Sequence, residues 1–192
     1  MEPILRDFPD RFDTERLTIR CPQPGDGAEV NAAVIESLNE LRPWMAWAQT
    51  APTVAESEAD VRKAHTRFLL RESLRLLLFL KGTHTLVGSS GLHYIDWSVP
   101  RFEIGYWART SYAGQGYISE AVVGITDFAF QTLGAKRVAI CCDAKNERSA
   151  AVARRLNFAF EGRLRCDSRC PLTGALRDTL VFAKVKPEEP KP

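Results

Sequence analysis

The chain has 192 residues, 45% of them apolar and 26% charged, the composition of an ordinary globular protein that can bury roughly 70% of its unfolded surface without a metal or disulfide staple. Lys and Arg total 26 against 24 Asp and Glu, a net charge of +2 with no basic block, so the charge pattern excludes a nucleic-acid partner. The most apolar stretch, 69–80, is interrupted by Arg71, Glu72 and Arg75 and falls short of the roughly 20 residues a membrane span requires.

The opening Met1-Glu-Pro-Ile-Leu-Arg-Asp7 lacks an apolar run, so no signal peptide is expected. Cys21, Cys141, Cys142, Cys166 and Cys170 form an odd set without a disulfide rhythm. A reduced, cytoplasmic protein is the expectation. Cys166 and Cys170 lack a second ligand pair, and His65, His84 and His93 are scattered, so no metal is expected.

Thr14-Glu-Arg-Leu-Thr-Ile-Arg20 alternates and predicts a first strand. Pro24-Gly25-Asp26 turns into a helix over 27–41, and Arg42-Pro-Trp-Met-Ala-Trp47 follows as a loop or short helix. Thr53 and Glu56 have capping-box spacing, with apolar residues at helical intervals after them, which predicts a helix over 54–72. Strands are expected at 75–81, 85–94 and 101–108, separated by turns at 81–84 and 96–100. Ile118, Ala121, Val122, Ile125, Phe128 and Ala129 mark one face of a helix running from Gly116 to near Gly134. A buried strand at 136–142, a helix at 146–156 and strands near 158–165 and 178–184 complete the order. The result is a mixed α/β domain built on one sheet, spanning 1–185. The charged, proline-rich 186–192 reads as a disordered tail.

The loop Ala113-Gly-Gln-Gly-Tyr-Ile-Ser119 joins a strand to a helix start. Its glycines let backbone N–H groups turn inward, and the helix N-terminus adds orphan donors and about half a positive charge, which makes an anion site. A turn that needs glycine for positive φ is the competing reading. Gly116 is followed by Tyr117, so a Walker loop fails. A dinucleotide fingerprint needs Gly or Ala where Ser119 stands.

Gly114-Gln-Gly-Tyr-Ile-Ser-Glu-Ala121, preceded by Glu103-Ile-Gly-Tyr-Trp107 and followed by Asn146-Glu-Arg-Ser149, resembles the GNAT superfamily of acetyl-CoA-dependent N-acetyltransferases. It is most similar to the RimJ/RimL branch, which acetylates ribosomal protein N-termini. Leu41-Arg-Pro-Trp44 with Trp47, Ala153-Arg-Arg-Leu-Asn-Phe158 and Gly174 with Asp178 extend the likeness, which covers about residues 12–185.

The resemblance implies an α/β (α+β) fold with one mixed, mainly antiparallel sheet of about seven strands, flanked by helices and with splayed central parallel strands. It implies acetyl-CoA as cosubstrate. The pyrophosphate would rest on Gly114, Gln115, Gly116, Tyr117, Ile118 and Ser119, and the pantetheine arm along Trp107, Ala108 and Arg109, with Asn146 on the other side. Ala153 stands where the superfamily often has a catalytic Tyr, and the branch suggests Ser149 in its place as donor to the thioester sulfur. Read locally, Asn146 is a helix cap and Ser149 a first-turn residue. Glu103, on one strand face with Gly105 and Trp107, is the candidate base. Trp44 and Trp47 are candidates to line an acceptor groove. A covalent route through Cys141 or Cys142 is a minor alternative, and the 164–177 stretch reads as a mobile hairpin.

An α-amine with a pKa near 7.7–8.0 is about 10–20% neutral at pH 7, whereas lysine is about 0.04% neutral. A weak base therefore suits protein N-termini. Direct attack on such an amine in a ternary complex is the expected activity. A small-amine acetyltransferase and a non-catalytic CoA sensor are the alternatives. Both a monomer and a homodimer fit the sequence.

Overall fold

The computed structural model describes residues 2–186. In chain order the elements are β1 (Arg11–Asp13), β2 (Leu17–Arg20), α1 (Gly27–Leu41), α2 (Val54–Leu69), β3 (Leu74–Leu80), β4 (Leu86–Asp96), β5 (Arg101–Ala108), α3 (Tyr117–Gln131), β6 (Arg137–Asp143), α4 (Glu147–Arg155), β7 (Ala159–Arg169) and β8 (Leu176–Val185). They form one eight-stranded sheet in the order β1-β2-β3-β4-β5-β6-β8-β7. Every neighbouring pair is antiparallel except β5–β6.

The expected count of about seven strands is corrected to eight by β1, three residues that alternate too briefly to leave a periodic signal. Thr14–Arg16 is a turn and not strand. The Thr14 hydroxyl accepts from the Leu17 amide at 3.1 Å, closing the β1–β2 hairpin before pairing resumes. α2 stops at Leu69, short of the expected 72, because Arg71 adopts φ 61°, which no continuing helix allows. Its start is the capping box read from sequence: Thr53 Oγ1 accepts from the Glu56 amide at 3.2 Å, and the Glu56 carboxylate accepts from the Thr53 amide at 2.7 Å. The expected disordered tail lies, beyond Lys186, outside the described residues.

The sheet buries two cores, one on each face. Val30, Val34, Leu38 and Val61 of α1 and α2 pack on Leu77, Phe79, Leu86 and Trp107. Ala121, Val122, Ile125 and Phe128 of α3, with Ala150 and Ala153 of α4, pack on Leu76, Leu92, Phe102, Ile104, Ile140 and Phe182 on the opposite face. Among the described residues no helix is long and apolar enough to cross a membrane.

β5 and β6 set the geometry of the centre. Their parallel pairing covers Arg101, Phe102 and Glu103 against Arg137, Val138 and Ala139, and goes no further. β5 nevertheless runs on to Ala108, still paired with β4 through Gly88, while β6 runs on to Asp143, paired with β8. From Ile104 onward the β6-facing edge of β5 is therefore an unpaired strand edge in the middle of the sheet. The two strands splay, as expected, and backbone groups left there need partners.

Candidate active site

The open edge of β5 leads through a short turn at Thr110–Tyr112 into the 113–119 loop and the start of α3. Gly114 and Gly116 have φ of 77° and 85°, a conformation that costs a side-chain-bearing residue about 1–2 kcal/mol. Gly116 is the N-cap of α3 and no side chain caps the helix. The amides of Tyr117, Ile118 and Ser119 find no acceptor among the described residues. A helix start with three free donors is where an anion binds.

Two cations missed by the sequence reading stand beside these amides. The Arg16 guanidinium donates to the Gln115 carbonyl at 3.1 Å and stacks on the Tyr117 ring at 4.5 Å. Arg155, at the end of α4, donates to Ser119 Oγ at 3.3 Å. Neither position has a sequence signal, because their approach to the loop depends on two separate chain crossings. Glu120 holds Arg16 there, accepting from its amide at 2.7 Å, from its Nε at 2.6 Å and from Thr14 Oγ1 at 2.6 Å. That hydrogen bonding depresses the Glu120 carboxyl below its ordinary value against the opposing effect of burial.

Arg109 is fully engaged within the protein. Its amide donates to Val87, its carbonyl accepts from Tyr112, and its guanidinium bonds Glu36 at 2.6 Å and Glu29 at 2.9 Å on α1. Burial opposes ionisation of Glu36, but hydrogen bonds from Ser111 and Arg109 outweigh it and bring its pKa down to about 2. Arg109 thus locks the end of β5 to α1, and Trp107 and Ala108 are the last residues of β5 beside its open edge.

Asn146 is the N-cap of α4, with Oδ1 accepting from the Ser149 amide at 3.1 Å. Ser149 in turn meets Tyr106, a residue the sequence reading passed over. The two hydroxyls lie 3.1 Å apart and the Ser149 carbonyl is 3.0 Å from Tyr106 Oη, so the single phenol proton has both Ser149 oxygens within reach. β5 and α4 are thereby joined across the splay. Burial pushes the Tyr106 phenol up to about 12, partly offset by Ser149. At that value it donates hydrogen bonds without losing its proton.

Glu103 lies on the other face of β5, towards α1 and α2. Burial raises its carboxyl, with a hydrogen bond from the Cys141 thiol opposing the shift. Burial and the nearby Glu103 push Cys141 up to about 12, and burial raises Cys142 as well. Both thiols stay protonated, which removes the reactivity that a cysteine nucleophile needs. Trp47 is 54% exposed and leans on buried Trp107, ring centroids 6.2 Å apart. Trp44 is half-buried just past α1. The 164–177 hairpin is tied at its root, where Asp178 accepts from the Cys166 amide at 2.8 Å and Arg177 pairs with Asp143 at 3.2 Å. Among the described residues no cluster of His, Cys, Asp or Glu is placed to hold a metal.

Residues 16–159 match the family described as Acetyltransferase (GNAT) domain. The chain is 31% identical over 176 residues to a Bacillus subtilis protein named "Putative ribosomal N-acetyltransferase YdaF", covering 91% of this chain and 93% of that one. It is 29% identical over 147 residues to the ribosomal-protein-serine acetyltransferase of Escherichia coli, covering 75% and 80%. Its fold matches the ribosomal L7/L12 α-N-protein acetyltransferase RimL, a structure in complex with coenzyme A, at a TM-score of 0.82 and 22% identity, over 90% of this chain and 95% of that one.

Proposed function

The chain belongs to the GNAT acetyltransferases and is an acyltransferase, and from that premise we propose that it moves the acetyl group of acetyl-CoA to the α-amine of a protein N-terminus, of the ribosomal-protein kind, in the cytoplasm. The observation that carries the cosubstrate is the continuity of the free β5 edge with an uncapped helix start. The 114–119 amides, with Arg16 and Arg155 beside them, fit a pyrophosphate, and the backbone of Trp107 and Ala108 fits the amide-bearing pantetheine arm, with Asn146 across from it. Acetyl-CoA supplies an acyl group activated as a thioester.

Ser149 is the donor to the thioester sulfur, oriented by Tyr106 on one side and the α4 first turn on the other. Glu103, the base candidate read from the sequence, lies on the acceptor side of the sheet, and Trp44 and Trp47 wall the approach of the amine. Direct attack is supported by the raised thiols of Cys141 and Cys142, since neither offers the thiolate a covalent route begins from. The α-amine preference follows from the site's modest base strength. Names given to relatives for ribosomal proteins support the same acceptor.

The test is CoA-thiol release at saturating acetyl-CoA with N-terminal peptides, lysine peptides and small amines. Release with α-amine peptides alone is expected. Ser149→Ala should lower kcat while acetyl-CoA binding, read by calorimetry, stays within about twofold. Release with small amines alone overturns the acceptor, and binding without release from any amine makes the protein a CoA sensor.

A further inference from the structure

Gly105 on β5, the cross-strand partner of Gly91 on β4, is a bare patch where the free β5 edge begins, while the Gly91 position is closed by the β3 backbone at Leu74. One side chain covers it. A Cβ built on Gly105 would lie 3.4 Å from His93 Cδ2 and 3.7 Å from His93 Nε2, so the imidazole sits directly over this glycine. His93 is the register partner of Glu103, yet the two side chains diverge. Glu103 turns towards Cys141 on β6, and the His93 ring turns back, with Nδ1 3.0 Å from Ser73 Oγ. Nε2 has no partner among the described residues and is left facing the patch.

The ring's placement is built into the strand. Pairing of β4 with β5 is irregular between His93 and Asp96, and Tyr94, 81% exposed, adopts φ 46°. A bulge re-aims the side chains beside it, and left-handed backbone at a bulky residue is strain that persists where a site requires it. The charged group facing His93 is Arg75 on β3, itself bonded to Asp60 on α2; Glu103, its register partner on β5, is turned away to Cys141. Burial first, then Arg75, keep His93 below its ordinary pKa. The ring is neutral at neutral pH.

Building on the acetyltransferase reading above, we propose that His93 Nε2, in place of Glu103, whose carboxyl is turned to the Cys141 thiol, is the proton acceptor for the acceptor amine, with Nδ1–H donating to Ser73. The amine nitrogen bonds the thioester carbonyl carbon, the carbon–sulfur bond breaks with its electron pair on sulfur, and the proton shed by nitrogen passes to Nε2. The leaving thiolate rests on the Ser149 hydroxyl and takes its proton from solvent, to which His93 returns its own. Ser73 Oγ accepts from the imidazolium as from the neutral ring, so the charge develops against a partner already in place.

Two measurements test this. In the 15N imidazole spectrum at pH 8, with His93 assigned by its loss in His93→Gln, Nε2 should be unprotonated and Nδ1 protonated. Ser73→Ala should disturb that tautomer. In kinetics, His93→Gln should lower kcat/KM for the acceptor about a hundredfold, with the KM for acetyl-CoA within twofold and His84→Gln silent. Wild-type log kcat/KM should fall with slope one below the amine's pKa and slope two below that of His93, and the variant should keep slope one throughout. A protonated Nε2 in the neutral ring, or a His93→Gln variant within threefold of wild type, overturns the proposal. If the wild type acetylates small amines only, the N-terminal acceptor fails and the slopes decide on that amine. If it turns over none, the acetyltransferase reading fails and the tautomer decides alone.

Discussion

Tyr106 and Ser149 show how two hydroxyls 43 positions apart become one device. Tyr106 Oη lies within reach of both the carbonyl and the hydroxyl of Ser149; when its one proton is directed to Ser149 Oγ, the proton of Ser149 is left for the sulfur. Tyr106→Phe keeps the ring in its packing and frees the serine rotor. One neutral hydrogen bond is worth about 1 kcal/mol, about a fivefold change in rate. The variant should therefore lower kcat about fivefold, leave the KM for acetyl-CoA within twofold, and reduce stability by about 1 kcal/mol in urea unfolding. A loss of acetyl-CoA affinity with unchanged kcat would place Tyr106 in binding and not in chemistry. Ser149 entered as a candidate through the resemblance to the RimJ/RimL branch, since its spacing from Asn146 alone reads as a residue of a helix first turn. Tyr106 did not enter, because its role depends on β5 and α4 meeting across the splay. His93 was passed over for a related reason: a lone histidine on a strand gives no sign of which glycine it covers.

Among the elements, α1, α2, α3 and α4 were readable because each has a recognisable start: the Pro24-Gly25-Asp26 turn, the capping box at Thr53, the glycines before Tyr117, and Asn146. The three-residue β1 and the start of β2 were not, since so short an alternation cannot be told from chance. The loop before α3 is where element and chemistry coincide, and glycine chemistry separates the two contributions. Gly116→Ala meets both a left-handed backbone and the Arg16 guanidinium, 3.3 Å from the new methyl. Gly134→Ala meets a left-handed φ of 72° with open space around it, past the far end of α3. Each should cost about 1–2 kcal/mol in stability. Only Gly116→Ala should also weaken acetyl-CoA binding, by about tenfold in calorimetry, because only its backbone belongs to the amide cradle. Equal binding in the two variants would show that the cradle tolerates a methyl, and that the glycines serve the turn alone.

At the scale of the molecule, the sheet consists of two antiparallel blocks, β1–β5 and β6–β8, joined by three pairs of parallel residues. The apolar core beneath α3 and α4 spans both blocks, with Ile104 on one side and Ile140 and Phe182 on the other, so the joint is held from one face and open at the splay. A ligand whose amide-bearing arm pairs with the β5 edge and whose pyrophosphate rests on the α3 amides completes the backbone pairing that the splay interrupts. Its binding is then coupled to global stability as well as to local order. At a hundredfold excess over Kd the coupling amounts to about 2.7 kcal/mol, a rise of about 5–10 °C in Tm for a chain of this size. Amide hydrogen exchange adds position to that magnitude. Protection should be gained at Tyr106 and Ala108 and through 114–119, and should stay unchanged at Thr18, Ile19 and Arg20, which are already paired on both edges. CoA and acetyl-CoA should give the same pattern, since the acetyl group adds no backbone pairing. A Tm rise with protection confined to another surface would move the ligand out of the splay, and with it the roles given to Ser149 and His93.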